Sequence, residues 1–127
     1  MAQPLVLFHA SDLHFGQEDR EALAWFMAEV ERERPAAVLC TGDLTMRGTA
    51  REFALARAWL SRLPVPVLLE PGNHDVPYYW FPLRRMINPY ARFRSLKQAL
   101  EGHRALPDVA VVSLKTVARA QFRLNWS

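Results

Sequence analysis

The chain has 127 residues, 50% of them hydrophobic and 23% charged, with a formal net charge of +3, values that exclude a disordered tail and fit one domain with a real core. Its single cysteine, Cys40, excludes an intrachain disulfide and fits a reducing compartment. There is no apolar run of about 18 residues and no basic leader ahead of the first apolar run, so the expectation is a cytoplasmic protein without a membrane span.

The elements are predicted in chain order as follows. Residues 4–9, PLVLFH, are a short apolar run suited to a buried strand. Residues 19–34 have helical spacing, with Leu23, Phe26, Met27 and Val30 on one stripe, and Pro35 ends that helix. AAVLCTG, residues 36–42, is a second buried strand. Thr49 and Glu52 match a capping box and open a helix to about residue 62, with Phe53, Ala56 and Leu60 inward. VPVLLEPG, residues 65–72, is a third strand. Strand–helix alternation of this kind predicts an α/β fold, a mostly parallel sheet flanked by helices.

Beyond this point the character of the chain changes. Residues 1–75 hold 7 Lys/Arg against 11 Asp/Glu, a balance of −4, whereas residues 76–127 hold 9 against 2, a balance of +7. Residues 78–104 mix Tyr78, Tyr79, Trp80, Phe81, Tyr90 and Phe93 with Arg84, Arg85, Arg92, Arg94 and Lys97. This segment reads as an amphipathic helical pair, as a cap receiving a phosphate-bearing substrate, or, less favoured, as a surface for nucleic acid. VAVVSLKT, residues 109–116, is predicted as a fourth strand, and residues 117–127 as the start of a fifth.

In parallel sheets ligands gather at the carboxyl ends of the strands. Here the three strand ends carry SDLHFG, TGDLT and PGNHD, which place Asp12, His14, Asp43, Asn73, His74 and Asp75 at one edge. Carboxylate, imidazole and amide oxygen together suit hard or borderline divalent ions, Mn²⁺ or Fe²⁺ first and Zn²⁺ or Mg²⁺ as alternatives. Two such ions about 3.5–4 Å apart clamp a phosphoryl group for in-line attack. His9 reads as a strand-end histidine satisfied by a neighbour, His103 as an exposed loop residue, and Cys40 as a small buried hydrophobe. Arg47 reads equally as a solvated loop residue and as a phosphate contact.

The order and spacing of SDLHFG, TGDLTMRG and PGNHDVP resemble the calcineurin-like metallophosphoesterase superfamily, and within it the bacterial cyclic-nucleotide phosphodiesterase-like branch. The resemblance is close over residues 5–77 and loose over 78–127. It implies the N-terminal part of a four-layer α/β/β/α sandwich that hydrolyses a small phosphodiester, such as a cyclic nucleotide, with two divalent ions. It also implies that Asp12 and His14 bind the first ion, Asp43 bridges, Asn73 binds the second, and His74, held by Asp75, acts at the phosphoryl group. The family pattern includes later histidines, one after a Gly-His pair and two in a Gly-His-x-His run, that this sequence lacks. Residues 1–127 are therefore expected to be one incomplete domain: a motif-bearing core at 1–77, a cap-like segment at 78–104 and the start of the second half at 105–127. The other readings are a non-catalytic scaffold on the same fold and a basic nucleic-acid-binding module.

Overall fold

The computed structural model describes residues 4–77, 83, 87–101, 106, 108–114 and 116–117. Its frame is a parallel sheet of three strands in the order β1 (Leu7–Ala10), β2 (Ala37–Thr41), β3 (Val67–Glu70). The register pairs Phe8 with Val38 and Cys40 with Leu69. Helix α1 (Arg20–Glu33) crosses from β1 to β2, and α2 (Ala50–Leu60) from β2 to β3. A single 3₁₀ turn, Asn73–Asp75, follows β3, and α3 spans Ala91–Glu101.

Helices α1 and α2 each start where a side chain can satisfy their first free amides. The Asp19 carboxylate accepts from Glu21 N and Ala22 N at the start of α1. Arg34 ends that helix in the left-handed region, just ahead of Pro35. At α2 the expected capping box is present: Glu52 N donates to Thr49 Oγ1, and Thr49 N donates to Glu52 Oε2.

Side chains alternate across a strand, so Val38, Cys40, Val67 and Leu69 share one face of the sheet. All four are buried in a core with Leu23, Met27 and Val30 of α1, Phe53, Ala56 and Leu60 of α2, and Phe93 and Leu96 of α3. Burying one such aliphatic side chain contributes about 1.5–3 kcal/mol. Of the stripe expected on α1, Phe26 stays partly exposed and packs beside Phe8 and Trp59. The opposite sheet face carries Ala37, which is buried, and Leu7, His9, Leu39, Thr41, Leu68 and Glu70, none of which is fully buried. His9 is satisfied there by Thr41 Oγ1 at 2.6 Å. Among the described residues, no helix is long and apolar enough to cross a membrane.

The expected fourth strand does not form among the described residues of 109–116. The outer edge of β3, where another strand would pair, is occupied by side chains of α3. Leu69 N donates to Glu101 Oε1 at 2.5 Å, and Leu69 O accepts from Lys97 Nζ at 2.5 Å. Lys97 and Glu101 thus supply one donor and one acceptor to the backbone of a residue that a neighbouring strand would otherwise satisfy. Of the basic aromatic segment, residues 91–101 are helix α3, while 78–82, 84–86 and 102–104, His103 included, lie outside the described residues, as do 118–127.

Candidate metal centre

The loops after β1 and β2 continue side by side beyond the sheet. Asp12 N donates to Gly42 O at 3.1 Å, His14 N to Asp43 O at 3.0 Å, and Phe15 N to Leu44 O at 2.9 Å. This extended pairing carries Asp12 and His14 alongside Asp43. Their ligand atoms all lie within 4.8 Å of one another. Asp12, His14 and Asp43 also share a backbone state, with φ of 57°, 46° and 48°. Asp and His tolerate this left-handed region better than most residues but still at a cost, and such conformations collect at functional sites. The strain turns the side chains off the strand direction and toward each other.

The third loop is tied to the second through Asp43. Its Oδ1 accepts from His74 N at 3.0 Å. Gly72 lies so close that a Cβ there would sit 2.2 Å from both Asp43 N and Asp43 Oδ1. Only glycine permits this approach, which explains the Pro-Gly ahead of Asn73. Asp43 and Asn73 line one open cleft of about 430 Å³, together with Thr41, Glu70 and Leu114. The His74 ring meets the His14 ring edge-on, with centroids 5.2 Å apart. The structure therefore brings together Asp12, His14 and Asp43, and sets Asn73 and His74 beside them.

Asp75 is placed differently from the expectation. Its carboxylate does not hold the His74 ring. Oδ1 accepts from Thr45 N at 2.7 Å and Thr45 Oγ1 at 2.9 Å, and Oδ2 accepts from Gly72 N at 2.8 Å and Leu44 N at 3.1 Å. It is a buried brace between the second and third loops. Burial pushes its carboxyl above the ordinary range, against the pull of these donors. The partner of the His74 ring is instead the Met46 carbonyl, 2.7 Å from Nδ1. A carbonyl only accepts, so Nδ1 carries the proton and Nε2 is left for other work. Sequence reasoning missed Met46, Thr45 and Gly72. Thr45, directly after Gly-Asp-Leu, was the visible signal, because its hydroxyl bonds Asp75 and also accepts from Gly48 N at 3.1 Å.

The donor set fits a divalent ion. Two carboxylates and an imidazole converge in one cluster. The Nε2 of His14 faces Asp12 Oδ1 at 3.6 Å, while its Nδ1 is buried with no hydrogen-bond partner among the described residues. An imidazole so placed gains little from the protein alone, and coordination would supply the missing interaction.

Comparison with known proteins agrees with this geometry. Residues 5–120 match the calcineurin-like phosphoesterase family. The glycerophosphodiester phosphodiesterase GpdQ of Enterobacter lignolyticus is 37% identical over 82 residues, which are 56% of this chain and 30% of that protein. A probable glycerophosphodiester phosphodiesterase GpdQ of Arcobacter nitrofigilis is 41% identical over 44 residues, 35% of this chain and 16% of that protein. The chain thus spans less than a third of the length of these relatives. With more than half of its residues matched, it belongs to the calcineurin-like phosphoesterase family.

Proposed function

We propose that this chain carries the first part of a dinuclear phosphodiesterase centre. The observation that supports this best is the convergence of Asp12, His14 and Asp43, all in the left-handed region, at the carboxyl ends of parallel strands. Asp12 and His14 would hold one ion, Asp43 would serve both, and Asn73 would hold the second, with further donors coming from outside the described residues. When bound, such ions neutralise charge on the phosphoryl oxygens and lower the pKa of the attacking water.

The chain's own residues then orient and stabilise. Asp43 Oδ1, by accepting from His74 N, fixes the third loop against the second. His74 keeps Nδ1–H on Met46 O, so it donates to a phosphoryl or leaving-group oxygen only from Nε2 of the protonated ring. The substrate class is a small organic phosphodiester. The relatives' names favour a glycerophosphodiester, and a cyclic nucleotide is the second candidate. Manganese or iron suits the donor set best.

The test is manganese stoichiometry together with hydrolysis of bis(4-nitrophenyl) phosphate by the 127-residue chain. Manganese binding, with turnover once the remaining donors are supplied, is expected, and both are lost in Asp43→Ala. An Asp43→Ala variant with turnover within about twofold of the parent would overturn the assignment.

A further inference from the structure

His74 owes its ring orientation to a backbone carbonyl, and what holds that carbonyl has an owner outside the motif. The loop of residues 45–48 curls over the His74–Val76 backbone. Its inner end is fixed by Thr45 N and Oγ1 on Asp75, and Gly48 N closes the curl on Thr45 Oγ1. Its outer end is flush with the third loop. Gly48 has φ +69°, and a Cβ there would lie 3.0 Å from Val76 O. Met46, whose carbonyl receives His74 Nδ1, stands between these ends.

Between and beyond these ends the backbone has further ties: Met46 N donates to Phe15 O at 3.1 Å, and Arg47 N and Thr49 N each donate to Glu52 Oε2 at 3.0 Å, which leaves the Gly48 carbonyl to α3. Arg92 Nη1 of α3 donates to Gly48 O at 2.9 Å. Arg92 is half-buried, and the next residue, Phe93, lies with Leu96 in the core. The arginine is therefore presented onto the loop from a helix anchored in the core by Phe93 and Leu96. A planar guanidinium on a carbonyl fixes direction as well as distance.

We infer that Arg92 is a positioning residue: by pinning Gly48 O it holds the Met46 carbonyl, and through it the tautomer and ring orientation of His74. The inference rests on the reading that His74 acts at the phosphoryl group. It adds a dependence on α3, an element that carries none of the family motifs quoted above.

The experiment compares Arg92→Met, which keeps the stem and loses the donor, with Arg92→Lys and with Arg94→Met on the exposed side of the same helix. The ¹⁵N signals of the His74 ring are recorded in the full chain with diamagnetic Zn²⁺ present, and diester turnover is measured with Mn²⁺. The parent is expected to give a single Nδ1–H form. Arg92→Met should give a mixture of tautomers and a kcat about tenfold lower with KM within about twofold, because misplaced acid–base groups lose rate rather than binding. Arg92→Lys should recover part of both, and Arg94→Met should match the parent. Ring signals in Arg92→Met identical to the parent's overturn the inference, whatever the rate does. If Arg92→Met does not fold, Arg92→Lys decides: signals between parent and mixture support the inference, and unchanged signals overturn it. A parent that turns over no diester sinks the proposed function but leaves the ring comparison standing, so the two failures are told apart.

Discussion

The motif loops and helix α3 are held to the same sheet by opposite means. Around the strand ends, short acids bind backbone amides: buried Asp75 takes three, from Leu44, Thr45 and Gly72, with the Thr45 hydroxyl as a fourth donor, and half-buried Asp43 takes one from His74. On the α3 side, long flexible side chains reach backbone carbonyls: Arg92 to Gly48 and Lys97 to Leu69. A short buried acid has few rotamers to lose and no water to fall back on, so it fixes geometry and fails expensively. A long half-exposed cation loses more entropy on ordering and finds water when its partner goes. The first region is built for fixed placement, and in the second the Lys97 contact tolerates change.

The harshest way to break the first region is Gly72→Ala. The new Cβ would sit 2.2 Å from Asp43 N, a backbone atom that no rotamer change can move away. Overpacking typically costs about 1–3 kcal/mol, and here the strain falls on the shared Asp43. We expect a stability loss of about 3 kcal/mol by urea unfolding and loss of manganese binding by titration. Parent-like manganese affinity would mean that Asp43 is not held by this contact.

Asp75→Asn is milder and more specific. The amide has one oxygen, which can keep Thr45 N and Thr45 Oγ1. Its NH₂ would then face Leu44 N and Gly72 N, leaving two buried donors unmatched. Each unmatched donor costs about 1–3 kcal/mol, partly offset because the neutral amide avoids burying a charge. A net loss of about 2–4 kcal/mol is expected. A loss under about 1 kcal/mol would show that the brace contributes little.

The same contrast explains what was legible in the sequence. Strands and helices followed from apolar runs, a capping box and Pro35, because those signals act within a few residues. Asp12, His14 and Asp43 were legible as a group because the polar pattern recurs at successive strand ends of a parallel sheet. Met46 was not, since any residue offers the same carbonyl and only the folded loop decides which one meets His74. The partner of Asp75 was misassigned for a related reason: a carboxylate next to a histidine in sequence need not face its ring. The strand expected at 109–116 does not form among its described residues, and pairing with β3 would need a vacant edge. Lys97 and Glu101 already serve Leu69, and nothing in a Val-rich run reports that.

The smallest effect tests the α3 side itself. Lys97 Nζ lies 2.8 Å from Glu70 Oε1 and 3.0 Å from Glu101 Oε1. Burial alone would lower its pKa, but hydrogen bonds and attraction from these two glutamates outweigh it and hold the ammonium above its ordinary 10.5. A cation whose folded value is raised stabilises fully below its unfolded value and loses that contribution as pH climbs through the folded one. Lys97→Met should therefore cost about 0.5–1 kcal/mol at pH 8, the scale of a solvent-screened pair, and the difference from the parent should vanish at strongly alkaline pH. Urea unfolding at both pH values measures it. A difference that persists once the parent's ammonium is deprotonated would trace the loss to packing of the stem. A cost at pH 8 several times larger would mean that the ion pair, not Phe93 and Leu96, holds α3 against the β3 edge. The two regions would then be equally exacting.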